Sequence, residues 1–275
     1  WIRESNIMAV SIAVASGKGG VGKTSIAVNL ALSLTRTGGR VALLDADFGL
    51  ANSHILLGVN PKKTVQDFLE NKATLSEIVS KGPLGLKFIS GGSGLTDMLN
   101  IDKASRYSLI RSMEPLESEV DFLVVDIPAG ASDSSIAFVS ASDRIFVVLV
   151  GEPTSFMDAY TLIKAANLEM GVKNFSVIVN MADNTSQAKV HFEKFQAIAT
   201  RFLDVTINFA GAIPFSRKMR ESVVKRKPLV LGREDSVEKN AFNDLSMRVQ
   251  KASKNTVDGI RFFPKENHLA KAVNI

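Results

Sequence analysis

Gly17-Lys18-Gly19-Gly20-Val21-Gly22-Lys23-Thr24 carries a phosphate-binding loop of the form G-x-x-x-x-G-K-[ST], met by Gly17, Gly22, Lys23 and Thr24. Glycines here let successive backbone N–H groups turn onto phosphate oxygens, at a helix N-terminus whose partial positive charge favours an anion. The run from Gly17 through Ser25 is therefore expected to hold the phosphates of a nucleotide. Lys23 is expected to reach the β- and γ-phosphates, and the Thr24 hydroxyl to sit on Mg²⁺. Lys18 has no place in that scheme. It suggests a nucleotide site shared between two subunits.

The flanks agree with the loop. Met8 to Ala15 is a short apolar, β-branched run of the kind a buried parallel strand shows, and Ser25 to Leu34 has helical spacing that ends near Gly38-Gly39. Further apolar runs at 40–44, 86–90, 122–125, 144–150 and 175–179, with another inside 205–213, alternate with amphipathic stretches. These fit helices over 105–117, 134–140, 155–169, 186–202, 217–225 and 237–253. That alternation predicts an α/β fold, a mostly parallel twisted sheet with helices on both faces.

Composition limits the chemistry. The 275 residues are 45% hydrophobic and 22% charged, enough for one large domain. There is no cysteine, so thiolate metal sites, iron–sulfur ligation and cysteine nucleophiles are excluded within these residues. The three histidines are scattered without metal-ligand spacing. No run approaches the length of a membrane span and no signal-peptide layout precedes the first strand, which predicts a cytoplasmic protein. A start at Trp1 is read as a fragment lacking upstream residues. From Ser216 onward there are 14 Lys and Arg against 7 Asp and Glu, whereas the upstream part has 19 against 21. The basic excess is either a solvated face or a contact with acidic lipid or nucleic acid.

In a parallel sheet the ligand collects at the carboxyl ends of the strands. Asp45-Ala46-Asp47 follows the second strand, and two carboxylates at i and i+2 point the same way. One can hold Mg²⁺-bound water while the other orients a water at the γ-phosphate. Phe122-Leu123-Val124-Val125-Asp126 is a Walker B arrangement, with Asp126 near the metal through its water shell. Gly130, shortly after it, can offer a backbone N–H to the γ-phosphate. Asn180-Met181-Ala182-Asp183 is similar to the guanine-reading Asn-Lys-x-Asp, but Met181 stands where lysine packs on the base. Adenine is therefore favoured over guanine, with Asp183 as a turn residue.

With these residues placed, the chain resembles the MinD/ParA family of deviant-Walker ATPases from about Met8 to about Val230, a SIMIBI-type P-loop NTPase fold. Within it, the stretch from Asp45 to Gly58, Glu152-Pro153-Thr154-Ser155 running into Asp158, and Gly211 to Phe215 are similar to the flagellar-number regulators of the FlhG (FleN) type. The resemblance implies an ATP- and Mg²⁺-dependent homodimer with slow hydrolysis that depends on dimerisation. Lys18 would cross to the partner's phosphates, Lys23 would act in cis, and Asp47 would position the attacking water. Thr24, Asp45 and Asp126 would serve the metal, the aspartates through water. Glu152 would touch the partner's nucleotide, and Asn180 with the backbone around Pro214 would hold adenine. Regulation of flagellar number or placement is implied, with a flagellar GTPase or transcriptional regulator as a further partner. A MinD-type division role or a ParA-type role on DNA is the alternative. Members of the FlhG type carry an Asp-Gln-Ala segment ahead of the first strand; none stands before Met8 here, and Ala51 replaces the arginine of MinD.

The boundary is expected at residue 255, with 1–255 as the domain and 256–275 as a tail. Ile260, Phe262, Phe263, Leu269, Val273 and Ile275, with Arg261, Lys265 and Lys271, suit a segment that docks on anionic membrane lipid at the inner face of the cell membrane. Pro264 breaks any single helix through it. A tail packed on its own domain, or a disordered one, is the alternative.

Overall fold

In a computed structural model, residues 8–48, 52–92, 102–255 and 257–263 are described. The first strand, β1 (Val10–Ala15), is buried along its length and runs through the phosphate loop into α1 (Lys23–Arg36) and then β2 (Val41–Asp45). Three short helices follow: α2 (Ser53–Leu57), α3 (Val65–Leu69) and α4 (Leu75–Ile78). Next come the paired short strands β3 (Val79–Lys81) and β4 (Lys87–Ile89), then α5 (Lys103–Ser112), β5 (Phe122–Asp126) and α6 (Asp133–Ala141). The second half alternates β6 (Arg144–Leu149), α7 (Pro153–Met170), β7 (Asn174–Ala182), α8 (Thr185–Phe202) and β8 (Thr206–Pro214), ending in α9 (Arg217–Val224) and α10 (Val237–Lys251).

The eight strands lie in the order β3-β4-β2-β5-β1-β6-β7-β8, all parallel except the β3–β4 pair. The central strands β1, β2, β5 and β6 are buried almost throughout, so they read as continuous apolar runs, which is why the sequence exposes them so clearly. One face packs under α1 and α10 through Ile26, Leu30, Phe242 and Leu245; the other packs under α5 to α8 through Ile110, Phe138, Leu162 and Phe195. β1 sits between β5 and β6, so the phosphate loop leaves the sheet beside the ends of β5 and β2. No helix among the described residues is long and apolar enough to cross a membrane.

The expected boundary at 255 is not where packing stops. Asn255 pairs with the backbone of Asn174 through both amide atoms, at 3.0 and 2.9 Å, and donates its own N–H to Asp143 at 2.7 Å. Arg261 reaches Asp143 at 2.8 Å, and the Phe262 N–H bonds to the Ala141 carbonyl at 3.2 Å. Phe262 is fully buried and stacks on Phe138 with ring centroids 6.2 Å apart; Phe263 is buried beside it, and Ile260 packs on the same core. Three of the apolar residues assigned to a lipid-facing tail are thus core residues, because their chain segment is fixed by the Arg261–Asp143 ion pair. Residues 264–275, with Pro264, Lys265, Leu269, Lys271, Val273 and Ile275, lie outside the described residues.

Candidate functional site

The loop is shaped by close approaches that only glycine permits. A Cβ on Gly17 would lie 2.0 Å from the Asp158 carbonyl carbon, so the start of the loop rests directly on the backbone of α7. Gly22 has φ +85° and precedes α1 with no side-chain cap, and a Cβ there would lie 2.4 Å from Asn180 Nδ2. The first helical N–H bonded to the preceding turn is that of Ile26, on the Gly22 carbonyl at 3.1 Å. The N–H groups of Lys23, Thr24 and Ser25 therefore have no intrahelical acceptor, which is the arrangement that binds phosphate.

Behind the loop, β2 and β5 bring Asp45 and Asp126 side by side in register. Lys23 Nζ lies 2.5 Å from Asp126 Oδ1, and both groups are buried. Ser53 ties the pair together: its N–H donates to Asp45 Oδ2 at 3.0 Å and its hydroxyl to Asp126 Oδ2 at 3.2 Å. Burial, and next the charge of Asp126, push the Asp45 carboxyl up to about 7. Two carboxylates facing one ammonium leave this pocket short of positive charge. That deficit fits a divalent cation held by Thr24, Asp45 and Asp126, oxygen donors of the kind Mg²⁺ takes. Asp47 is half-buried and its N–H donates to Asp45 Oδ1 at 3.3 Å, so the loop places it next to Asp45. Gly49, Leu50 and Ala51 of the same motif lie outside the described residues.

Other expected residues are placed differently from the simplest reading. The Gly130 N–H donates to the Ser16 carbonyl at 2.9 Å, so in this state it braces the phosphate loop and is not turned to a γ-phosphate. Lys18 Nζ, on a half-buried side chain of the loop, lies 3.2 Å from Glu152 Oε2 and 3.1 Å from Thr154 Oγ1 of the same chain, both exposed at the start of α7. Asn180 Nδ2 donates to the Val21 carbonyl at 2.7 Å; a carbonyl can only accept, so the amide nitrogen must face the loop, and Oδ1 is left as acceptor. Pro214 ends β8 opposite Ala182, and Asp183 lies in the turn before α8. Sequence reasoning missed Ser53 and Thr154 as members of the site. Both stand in stretches that resemble the FlhG type, but neither a serine eight residues after Asp45 nor a threonine two after Glu152 carries a signal of its own.

Comparison with known proteins agrees with this geometry. A profile of the ParA family, described as NUBPL iron-transfer P-loop NTPase, matches residues 7–250. The chain is 39% identical over 238 residues to the antiactivator FleN of Pseudomonas aeruginosa, covering 86% of this chain and 85% of that protein. It is 34% identical to the flagellum site-determining protein YlxH of Helicobacter pylori, over 79% of this chain and 74% of that one. Among solved structures, MinD in the MinC:MinD cell division complex of Aquifex aeolicus superposes with a TM-score of 0.74 at 27% identity, covering 89% of this chain and 97% of that one. A Pyrococcus horikoshii MinD with Mg-ADP gives 0.72 at 24% identity, covering 89% and 97%, a likeness of fold. Since the profile spans most of its length, the chain belongs to the ParA/MinD family of P-loop ATPases.

Proposed function

We propose that this ATPase is a dimerising switch that regulates flagellar number or placement. The observation that carries the reading is Lys18. The loop already has its own phosphate lysine in Lys23, buried against Asp126, while Lys18 stands on the surface held only by Glu152 and Thr154. An exposed ion pair of this kind is worth at most about 1 kcal/mol, so a second subunit bearing phosphate can take the lysine at small cost. Positive charge arriving in trans then stabilises the charge on the transferring phosphoryl group, as an arginine finger does.

Within one subunit, Lys23 leaves Asp126 for the β- and γ-oxygens, and Asp47 orients the water that attacks the γ-phosphorus, giving ADP and phosphate. A bound Mg²⁺, held by Thr24 and, through water, by Asp45 and Asp126, would neutralise charge on the phosphates. The backbone N–H groups at the start of α1 hold the phosphate oxygens. Asn180, its amide fixed by Val21, offers Oδ1 to the amino group of adenine. The flagellar role is supported by likeness to FleN and YlxH. The absence of cysteine within these residues argues against iron–sulfur carriage despite the name of the family profile. Docking on anionic lipid is proposed for residues 264–275.

Size-exclusion chromatography with ADP, with ATP, and with ATP plus Asp47→Ala tests the switch. The dimer is expected only with ATP, and most strongly in the variant, where hydrolysis no longer empties it. A monomer under all three conditions overturns the proposal. Salt-sensitive DNA binding by the ATP form in place of vesicle binding would move the role from a membrane to a partition surface.

A further inference from the structure

Phe146, Ser176 and Asn208 stand in register across β6, β7 and β8, so their side chains share one face of the sheet, the face that α10 covers. Just past this row the edge strand β8 gains one residue, Ala210, against Val177 and Ile178 of β7. Between the row, the bulge and the last turn of α10 lies a cavity of about 310 Å³. Phe146, Ala210 and Ala252 give it an apolar floor, and Arg248 and Lys251 reach it from α10. Among the described residues no acidic side chain lines it.

Two features here are left over by the fold. Ser176 is only 9% exposed, lines the cavity, and its hydroxyl has no hydrogen-bond partner among the described residues. A buried hydroxyl without a partner lowers stability, so folding alone does not explain a serine at this place. The second feature is surplus positive charge. The carbonyl end of a helix favours a cation, and the buried Arg144, two residues before Phe146 on the same face, already donates from Nη1 to the Val249 carbonyl at 3.0 Å. Arg248 and Lys251 in the same turn are extra, and neither has an ion pair among the described residues. Arg144 keeps Nε without a partner, and the acid whose field reaches it, Asp143, is paired with Arg261.

We infer that this cavity is a second ligand site, separate from the nucleotide, for a small organic anion: a carboxylate carried on an aromatic or short aliphatic body. The body packs on Phe146, Ala210 and Ala252. The carboxylate accepts from the Ser176 hydroxyl and the Asn208 amide, and Arg248 and Lys251 match its charge. Few polar groups converging over an apolar floor is the usual composition of a small-molecule site, and the volume is at the lower end for one. The site lies in the amino-terminal half of β6 to β8, whereas the nucleotide elements stand at the carboxyl ends, so the two ligands share no residue.

The test is an amide NMR titration of the full chain, saturated with Mg-ADP so that the phosphate loop is filled. The probes are phenylacetate, its uncharged counterpart phenethyl alcohol, and sulfate. Phenylacetate should move the amide signals of Ser176, Asn208 and Ala252 with a dissociation constant of about 1–10 mM, ordinary for so small a ligand. Phenethyl alcohol and sulfate should each bind about tenfold more weakly or less. Arg248→Ala combined with Lys251→Ala is expected to weaken phenylacetate about five- to tenfold. Ser176→Ala should weaken it about threefold while its ligand-free thermal midpoint stays equal to or above wild type, since an unbonded hydroxyl is removed. Unmoved signals at about 50 mM phenylacetate overturn the inference, as does unchanged affinity in the double variant. Equal binding of phenethyl alcohol or of sulfate overturns it too, since the cavity would then be a bare apolar crevice or a bare cation pair. If a short DNA duplex shifts Arg248 and Lys251 at low salt and phenylacetate does not, the cations serve a phosphate backbone and the inference falls.

Discussion

Each end of the sheet holds a buried aspartate paired with a cation, and the two pairs are finished differently. At the amino ends of the strands, Asp143 accepts from the Ser11 N–H at 2.9 Å, from the Ser11 hydroxyl at 2.8 Å and from Arg261 at 2.8 Å. Its charge is matched and its oxygens are filled. At the carboxyl ends, Asp126 has Lys23, but Asp45 stands beside it with no cation of its own. The first arrangement closes a fold; the second waits for a ligand. Burying charge is tolerable in both cases, but only the first is complete without an added group.

The largest way to break this contrast is to unbalance the finished end. Asp143→Ala leaves the Arg261 guanidinium buried and unpaired and removes an acceptor from Ser11. Urea denaturation should show a loss of about 3–5 kcal/mol, with ATP affinity of the folded fraction unchanged. The opposite result is expected at the ligand end. Asp45→Asn removes an uncompensated charge, so the nucleotide-free protein at pH 8 should gain about 1–3 kcal/mol while Mg²⁺-dependent ATP binding falls.

The same residue gives the contrast a pH signature. Folded Asp45 keeps its proton to about pH 7, whereas the unfolded carboxyl loses it near 3.8. Between those values the folded state binds more protons, so this group's contribution is fully present below the unfolded value and is lost as pH rises through the folded one. Nucleotide-free stability should fall across that window and level off above it, and Asp45→Asn should flatten the slope. The smallest effect is expected outside both buried pairs. Glu152→Gln frees Lys18 at the surface and should change stability by less than about 0.5 kcal/mol in the same denaturation assay. A larger loss would make that pair structural.

What could be read from the sequence follows the range of the forces involved. The phosphate loop and the buried strands are local: glycine spacing and runs such as Phe122-Leu123-Val124-Val125 carry their own conformational instructions. The short helices between β2 and β3 went unassigned, although Thr64-x-x-Asp67 and Thr74-x-x-Glu77 are capping boxes whose side chains and backbones pair reciprocally. β3, three residues long, is too short to show a period, whereas the apolar run at 86–90 contains β4. The contacts that define the site's state are non-local. Lys18 meets Glu152 across 134 positions and Asn180 meets Val21 across 159, so neither motif announces its partner. Arg261 and Phe262 read as tail residues for the same reason, since Asp143 and Phe138 are what make them core.

The Arg261–Asp143 clasp also bears on how the chain reaches its fold. It joins residues 118 positions apart, and the core around Phe138 stays open until Phe262 arrives. Closing so long a loop is paid in chain entropy before any contact repays it, which slows folding. During synthesis the nucleotide loop and its strands leave the ribosome first, and the clasp forms only once the chain has emerged as far as Phe263. The protein thus has its ligand-binding elements early and its full cohesion late, and in that interval the exposed face of Phe138 is the surface most open to misassociation.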